Sequence, residues 1–318
     1  MFSVLTLLVA VAPNVTTFAI LRFLAGVGLG ACLPTALAFM TEYAPEGKRG
    51  TAITKMMTGY HVGAVLTALL AIWVIPTFGW RAMFVVGGVA GLATLPLMWA
   101  RLPESQAYLD YVAKADHSPA KTTTPSLVRG GYLRISIGLW VASFMGLLLV
   151  YGLNTWLPSI MEAAGYSIDA SLALLLTLNL GAVTGLLVAG KISDARGNKP
   201  TVLLWFGLAA VALALLSIRM EIVTILYVAV FVAGVFVFSA QVLGYAFVGH
   251  LYPAEVRGTA LGMAAGVGRL GAIVGPFLGG ALVTAGIAYP WGFYAFAIAA
   301  VLAVVAHSMV PAHAKVRV

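Results

Sequence analysis

The stretch YAPEGKRGTA (residues 43–52) returns as LYPAEVRGTA (residues 251–260), 208 positions further along the chain. At that fixed offset Pro45 falls on Pro253, and Arg49-Gly50-Thr51-Ala52 falls on Arg257-Gly258-Thr259-Ala260. Further on, Gly63-Ala64 falls on Gly271-Ala272, and His61 falls on Arg269. A matching tetrapeptide alone means little in a chain rich in glycine and alanine. A register that holds from the proline before it to the Gly-Ala pair after it means more. Each copy lies between two long apolar stretches, which is the pattern of a parallel internal repeat of helical bundles. Each RGTA is therefore expected in a polar connection between two helices.

Composition names the solvent. Of 318 residues, 62% are hydrophobic and only 9% charged, where a soluble domain carries about 25% charged residues. So few charges cannot cover a water-facing surface, so the expected surroundings are a lipid bilayer. Most of the 35 glycines sit inside apolar windows, where small residues let helices approach closely in lipid. A single cysteine, Cys32, excludes a disulfide framework and a Cys-rich metal site. His61, His250, His307 and His313 show no metal-ligand spacing with acids. No Gly-x-x-x-x-Gly-Lys-Ser/Thr phosphate loop and no Ser/His/Asp nucleophile context is present. The reading is of a non-enzymatic membrane protein without cofactor.

Apolar windows fall near 1–12, 15–41, 52–76, 82–100, 135–157, 170–190, 200–218, 222–248, 259–285 and 291–309. The first is short, because a dozen residues rise only about 18 Å against a hydrocarbon core of about 30 Å. A signal peptide is the rival reading there, but the segment lacks a positively charged start. The one long polar stretch, near 101–134, holds few apolar residues and no sustained period, and reads as an interdomain loop. The resulting division is 1–101 as an incomplete first bundle, 102–131 as a central cytoplasmic loop and 132–318 as a six-helix second bundle.

Basic residues set the orientation. With Met1 in the cytoplasm, the loops on that side hold Lys48, Arg49, Lys55, Arg101, Lys114, Lys121, Arg129, Arg134, Lys191, Arg196, Lys199, Arg257, Lys315 and Arg317. The opposite loops hold only Arg81 and Arg219. This bias accounts for the net charge of +8 without a nucleic-acid partner. Both termini are expected in the cytoplasm and the protein in the plasma (inner) membrane. Shifting the second bundle back by the repeat offset puts the start of a complete first bundle roughly 76 positions before Met1. Ten of twelve segments are expected in this chain, with the first two helices and part of the third ahead of Met1.

Two bundles joined by a long cytoplasmic loop resemble the major facilitator superfamily. GKISDARGNK (190–199) resembles the superfamily's Gly-x-x-x-Asp-Arg-x-Gly-like loop, with Ala195 standing where the pattern has Arg. RFLAGVGLG (22–30) resembles its Arg-x-x-x-Gly signature. Within the superfamily, YGLNTWLPSIMEAAGY (151–166), LNLGAVTGLLVAGKISDARG (178–197) and AQVLGYAFVGHLYPAEVRGTALGMAAGVGRLGAIVGP (240–276) are similar to the aromatic acid:proton symporters. That resemblance implies a secondary transporter, importing a benzoate-like carboxylate with protons by alternating access. Its partners would be a small organic anion, protons and the bilayer, and it would act as a monomer. Carriage of another organic anion, export, or an inactive remnant are the alternatives.

Ionisable groups inside a bundle are costly and are functional candidates by default. Arg22, His61 and Arg269 qualify. Arg269 and His61 lie about 18 Å past their Arg-Gly-Thr-Ala copies, near the midplane, and as repeat counterparts they are expected at a central cavity. Arg269, with His61, would neutralise an organic anion there, or else would hydrogen bond helix carbonyls. Arg22 either snorkels or takes part in coupling. None of the ten acidic residues falls deep in a window, so the proton-binding carboxylate is expected ahead of Met1, with His61 the other candidate. Glu46, Asp194, Arg49, Arg196 and Arg257 read as cytoplasmic gate partners or solvated loop charges. Tyr151, Asn154, Trp156, Asn179, Gln241 and Tyr245 are the polar and aromatic residues on the expected cavity helices. Gln241 and Tyr245, spaced i, i+4, and Asn154 and Trp156 complete the candidate substrate site. Interhelical hydrogen bonding is the other reading for Gln241 and Tyr245, and an interfacial belt for Trp156.

Overall fold

The computed structural model of the chain describes residues 1–105, 109, 113 and 132–312. Asp110, Lys114, Asp116, Lys121, Arg129, His313, Lys315 and Arg317, and with them most of the expected central loop, lie outside the described residues. Regular structure among the described residues is helical throughout. Before the loop come α1 (Phe2–Ala10), α2 (Val15–Gly30), α3 (Cys32–Tyr43), α4 (Arg49–Phe78) and α5 (Trp80–Arg101). After it come α6 (Tyr132–Ala163), α7 (Ile168–Arg196), α8 (Asn198–Leu216), α9 (Val223–Leu251), α10 (Ala254–Thr284) and α11 (Ala288–Ser308). Nine stretches among the described residues are long and apolar enough to cross a membrane, with α2 and α3 together forming one of them. The nine-residue α1 is too short to do so.

Helix ends differ from the apolar windows for a local reason. The first RGTA is not a connection but the opening turn of α4, and the second lies inside α10. The connection before α4 is the turn at Pro45–Lys48, closed by the Lys48 amide donating to the Pro45 carbonyl at 3.0 Å. Gly47 there takes a φ of 72°, a conformation that favours glycine. Pro253 caps α10 in the same place, and the Arg257 amide donates to its carbonyl at 3.0 Å. Proline has no N–H to lose at a helix start, so Pro253 begins α10 and leaves Arg257 within it, while Pro45 opens the turn after which Arg49 begins α4.

The described helices group into two compact units, one of residues 1–36 and 59–120, the other of residues 37–58 and 121–318. Residues 37–58, which the repeat assigns to the first bundle, thus pack with the second. In the first unit, α1 packs against α2 and α5. A side chain at Gly88 or Gly91 of α5 would collide with Ser3 and its neighbours on α1. Asn14 caps α2, accepting from the Thr17 amide at 2.8 Å. An edge-to-face cluster of Phe18, Trp80 and Phe84 joins α2 to α5.

In the second unit, α6 packs against α10 and α11, α7 against α9, and α8 against α9 and α11. The α7–α9 seam is backbone against backbone. A Cβ on Gly181 or Gly185 would strike the carbonyls of Phe231 or Val235, and one on Gly234 the carbonyl of Leu178. Gly271 and Gly275 of α10 lie equally close to the Phe144 and Leu148 carbonyls of α6. Small residues at such seams give the close van der Waals contact that holds helices together where lipid offers no hydrophobic drive. Phe206, Phe247, Phe293, Phe296, Leu149 and Leu153 fill the interior. Leu176, Leu180, Val211 and Leu215 face outward, as lipid-facing residues do.

Candidate functional site

Arg269 stands at the midpoint of α10, with apolar turns on either side. Its Nη1 donates to the Tyr151 hydroxyl on α6 at 2.7 Å, and its guanidinium carbon lies 5.7 Å from the centre of the Tyr151 ring. The cation is held by a charge-assisted hydrogen bond and by the ring's negative face. Tyr245 of α9 stands one turn from Gln241 on the same helix, near Arg269 and Tyr151. Gln241 and Tyr245 are buried. The Gln241 amide oxygen occupies the space a side chain at Gly146 of α6 would need. One polar cluster, drawn from α6, α9 and α10, is thus set into an apolar bundle.

The Asn179 amide on α7 donates to the Leu175 carbonyl at 2.9 Å and approaches the Asn154 side-chain oxygen on α6 at 3.5 Å. The Trp156 indole N–H donates to the Pro276 carbonyl of α10 at 2.7 Å, its ring lying on Gly279 and Gly280. Trp156→Phe removes that donor and is expected to cost about 1 kcal/mol. Thermal unfolding of the detergent-solubilised protein should then fall by roughly 2–4 °C; an unchanged midpoint would show that the bond contributes nothing.

His61 lies in the first unit, buried beside Tyr60, with ring centres 5.4 Å apart. Arg22, also in the first unit, places its guanidinium 5.4 Å from the centre of the Phe84 ring. Arg269 belongs to the second unit.

The second constellation lies at one end of the second unit. Both carboxylate oxygens of Asp194, in the last turn of α7, accept from the first turn of α4: Oδ1 from the Gly50 amide at 2.8 Å, Oδ2 from the Thr51 amide at 2.9 Å. An acid from another helix thereby fills the N-cap role and meets the positive end of the α4 dipole. Glycine permits the approach on both sides. A Cβ at Gly50 would meet Asp194, and one at Gly190 would meet Thr51 and Thr54. Gly190 and Asp194 are one turn apart on α7, which gives the Gly-x-x-x-Asp spacing its physical reason. A cavity of about 440 Å³ here is lined by Glu46, Arg49, Ser193, Asp194, Asn198 and His250, among others. The Nε of Arg49 is buried without a hydrogen bond. Arg257 Nε donates to the Tyr252 carbonyl at 3.3 Å, and Arg196 is exposed at the end of α7. Lys199 reaches the Ser308 carbonyl at the end of α11 at 3.0 Å, so several basic turns of this unit lie at one end.

Sequence reasoning had no signal for the Tyr151–Arg269 bond, whose partners are 118 positions apart. It also passed over His307, which is buried in the last turn of α11 near Phe206 and Phe247, its Nδ1 donating to the Ala303 carbonyl at 2.9 Å.

The sequence model of the Major Facilitator Superfamily matches residues 1–216 and again 173–317. The benzoate transport protein of Acinetobacter baylyi is 33% identical, the match covering 96% of this chain and 71% of that protein. The gentisate transporter of Corynebacterium glutamicum is 38% identical, over 96% of this chain and 70% of its own length. Among solved structures, the proton:xylose symporter XylE superposes with a TM-score of 0.75 at 19% identity, over 96% of this chain and 77% of that one. At that identity the likeness is one of fold.

Proposed function

This chain belongs to the Major Facilitator Superfamily, and on that premise we propose that it imports an aromatic carboxylate together with protons by alternating access. It is a multi-pass membrane transporter, not an enzyme. The observation that carries the substrate reading is Arg269, a permanent cation at the centre of a membrane-length helix, anchored by a tyrosine. A guanidinium there offers a planar fork for a carboxylate, and the neighbouring ring suits a flat substrate. The printed names of the relatives, benzoate and gentisate carriers, support an aromatic acid over another organic anion. Similarity of the quoted stretches to the aromatic acid:proton symporters supports the proton as coupling ion.

Alternating access requires the cavity helices to be sealed at one end and then released. The proposed cytoplasmic gate is the Asp194 contact with the first turn of α4, flanked by Glu46, Arg49, Arg196 and Arg257. The excess of basic residues at that end supports its cytoplasmic placement, in the inner membrane with both termini inside. His61 and Arg22 remain candidates for coupling in the first unit.

Cells without their own aromatic-acid uptake, expressing this chain, are expected to accumulate labelled benzoate or gentisate and not an aliphatic acid of similar size. A protonophore is expected to stop that accumulation. Uptake equal to that of cells carrying an empty vector would refute the transport reading. Accumulation of the aliphatic acid alone would replace the aromatic substrate by another anion.

A further inference from the structure

We propose that Tyr151 is the positioning residue of the anion site, fixing the Arg269 guanidinium so that its fork meets a carboxylate lying flat against the tyrosine ring. The inference rests on the anion-site reading of Arg269. An arginine side chain has about 2 kcal/mol of rotamer entropy to lose, and one exposed inside a bundle has several carbonyls to turn to. Here it is held in one direction, by a 2.7 Å bond to the Tyr151 hydroxyl and by the ring 5.7 Å away.

The position of Tyr151 is itself supported from behind. α6 brings Gly146 against Gln241, whose amide oxygen takes the place of a side chain there. Tyr245 follows Gln241 by one turn of α9, near Tyr151 and Arg269. Both are buried, so their part in this arrangement is support behind the exposed pair. Gly152, next to Tyr151, leaves room for Phe296 of α11 and the α10 backbone at Gly275, which seats this turn of α6 against the helix that carries Arg269.

The test is uptake kinetics of labelled benzoate in Tyr151→Phe, Arg269→Ala and the parent chain, with rates normalised to membrane abundance. Tyr151→Phe keeps the ring and removes the hydroxyl. Its KM is expected to rise about ten-fold, the scale of one hydrogen bond to a charged group, with Vmax within about two-fold. Tyr151→His, which restores a hydrogen-bonding atom, is expected to recover part of that loss. An unchanged KM in Tyr151→Phe, with Arg269→Ala inactive, overturns the positioning role and leaves the anion site standing. Full activity of Arg269→Ala overturns the anion site itself. Loss of Vmax in Tyr151→Phe with a lowered unfolding midpoint makes Tyr151 a packing residue and also overturns the proposal.

Discussion

Arg269→Ala is expected to lower Vmax/KM for aromatic-carboxylate uptake by at least about thirty-fold. Truncating one partner of a desolvated, hydrogen-bonded charge pair costs about 2–5 kcal/mol, and each 1.4 kcal/mol is a factor of about ten. Arg269→Lys keeps the charge but loses the planar fork and its bond geometry with Tyr151, so an intermediate loss of about ten-fold is expected. Initial rates over a range of benzoate concentrations check both. Were Arg269 only satisfying helix carbonyls, alanine would lower the amount of folded protein while leaving KM where it was.

The second large effect is expected at the gate. Gly190→Val places a branched side chain where Thr51 and Thr54 of α4 now lie, and neither the α7 backbone nor the α4 backbone can retreat without breaking the seam. Asp194 would then lose its reach to the Gly50 and Thr51 amides. Uptake is expected to fall by more than about ten-fold, since a closed gate stabilised by two charge-assisted bonds of about 1.5–3 kcal/mol each would no longer form. Asp194→Asn, which keeps one acceptor and loses the charge, is expected to fall between the parent and Gly190→Val. Reaction of a cysteine introduced at Ser193, in a background with Cys32 replaced by serine, reports the state of the contact. Faster labelling in Gly190→Val would accompany gate opening, and equal labelling would mean the contact does not govern access.

Much of the fold is legible in the sequence because a bilayer imposes length and apolarity together. The nine membrane-length stretches coincide with the expected windows, and the short first window is the nine-residue α1. What the windows miss is where polar residues continue a helix. The α7 helix runs on through Lys191, Ser193 and Asp194 to Arg196. Its last polar side chains have partners there, Asp194 on α4 and Ser193 on Asn198. Hydropathy marks each RGTA as a connection for the same reason, since it registers an arginine but neither the Pro45–Lys48 turn before α4 nor the Pro253 cap of α10. The packing of residues 37–58 with the second unit leaves no mark on a repeat alignment, which reports ancestry of segments and not their neighbours.

The site divides along the same line. Arg269 is legible as a lone charge in an apolar window. Its counterpart position His61 follows from the repeat register alone. Tyr151 and Asp194 are legible as a cavity-helix tyrosine and a gate acid, but their pairings with Arg269 and with the first turn of α4 are not, because each joins positions more than a hundred apart. Gln241 and Tyr245 were readable as an i, i+4 pair, but only the packing shows them buried behind Arg269 instead of beside it at the surface.

Transport in a purified system tests the central claim most directly. The protein is reconstituted into liposomes with an acidic exterior, and the initial rate of labelled gentisate entry is followed over a range of concentrations beside protein-free and Arg269→Ala liposomes. The account predicts a saturable rate above both controls that falls to theirs when a protonophore removes the gradient. A rate indistinguishable from that of protein-free liposomes at every concentration, with folded protein present, would contradict it.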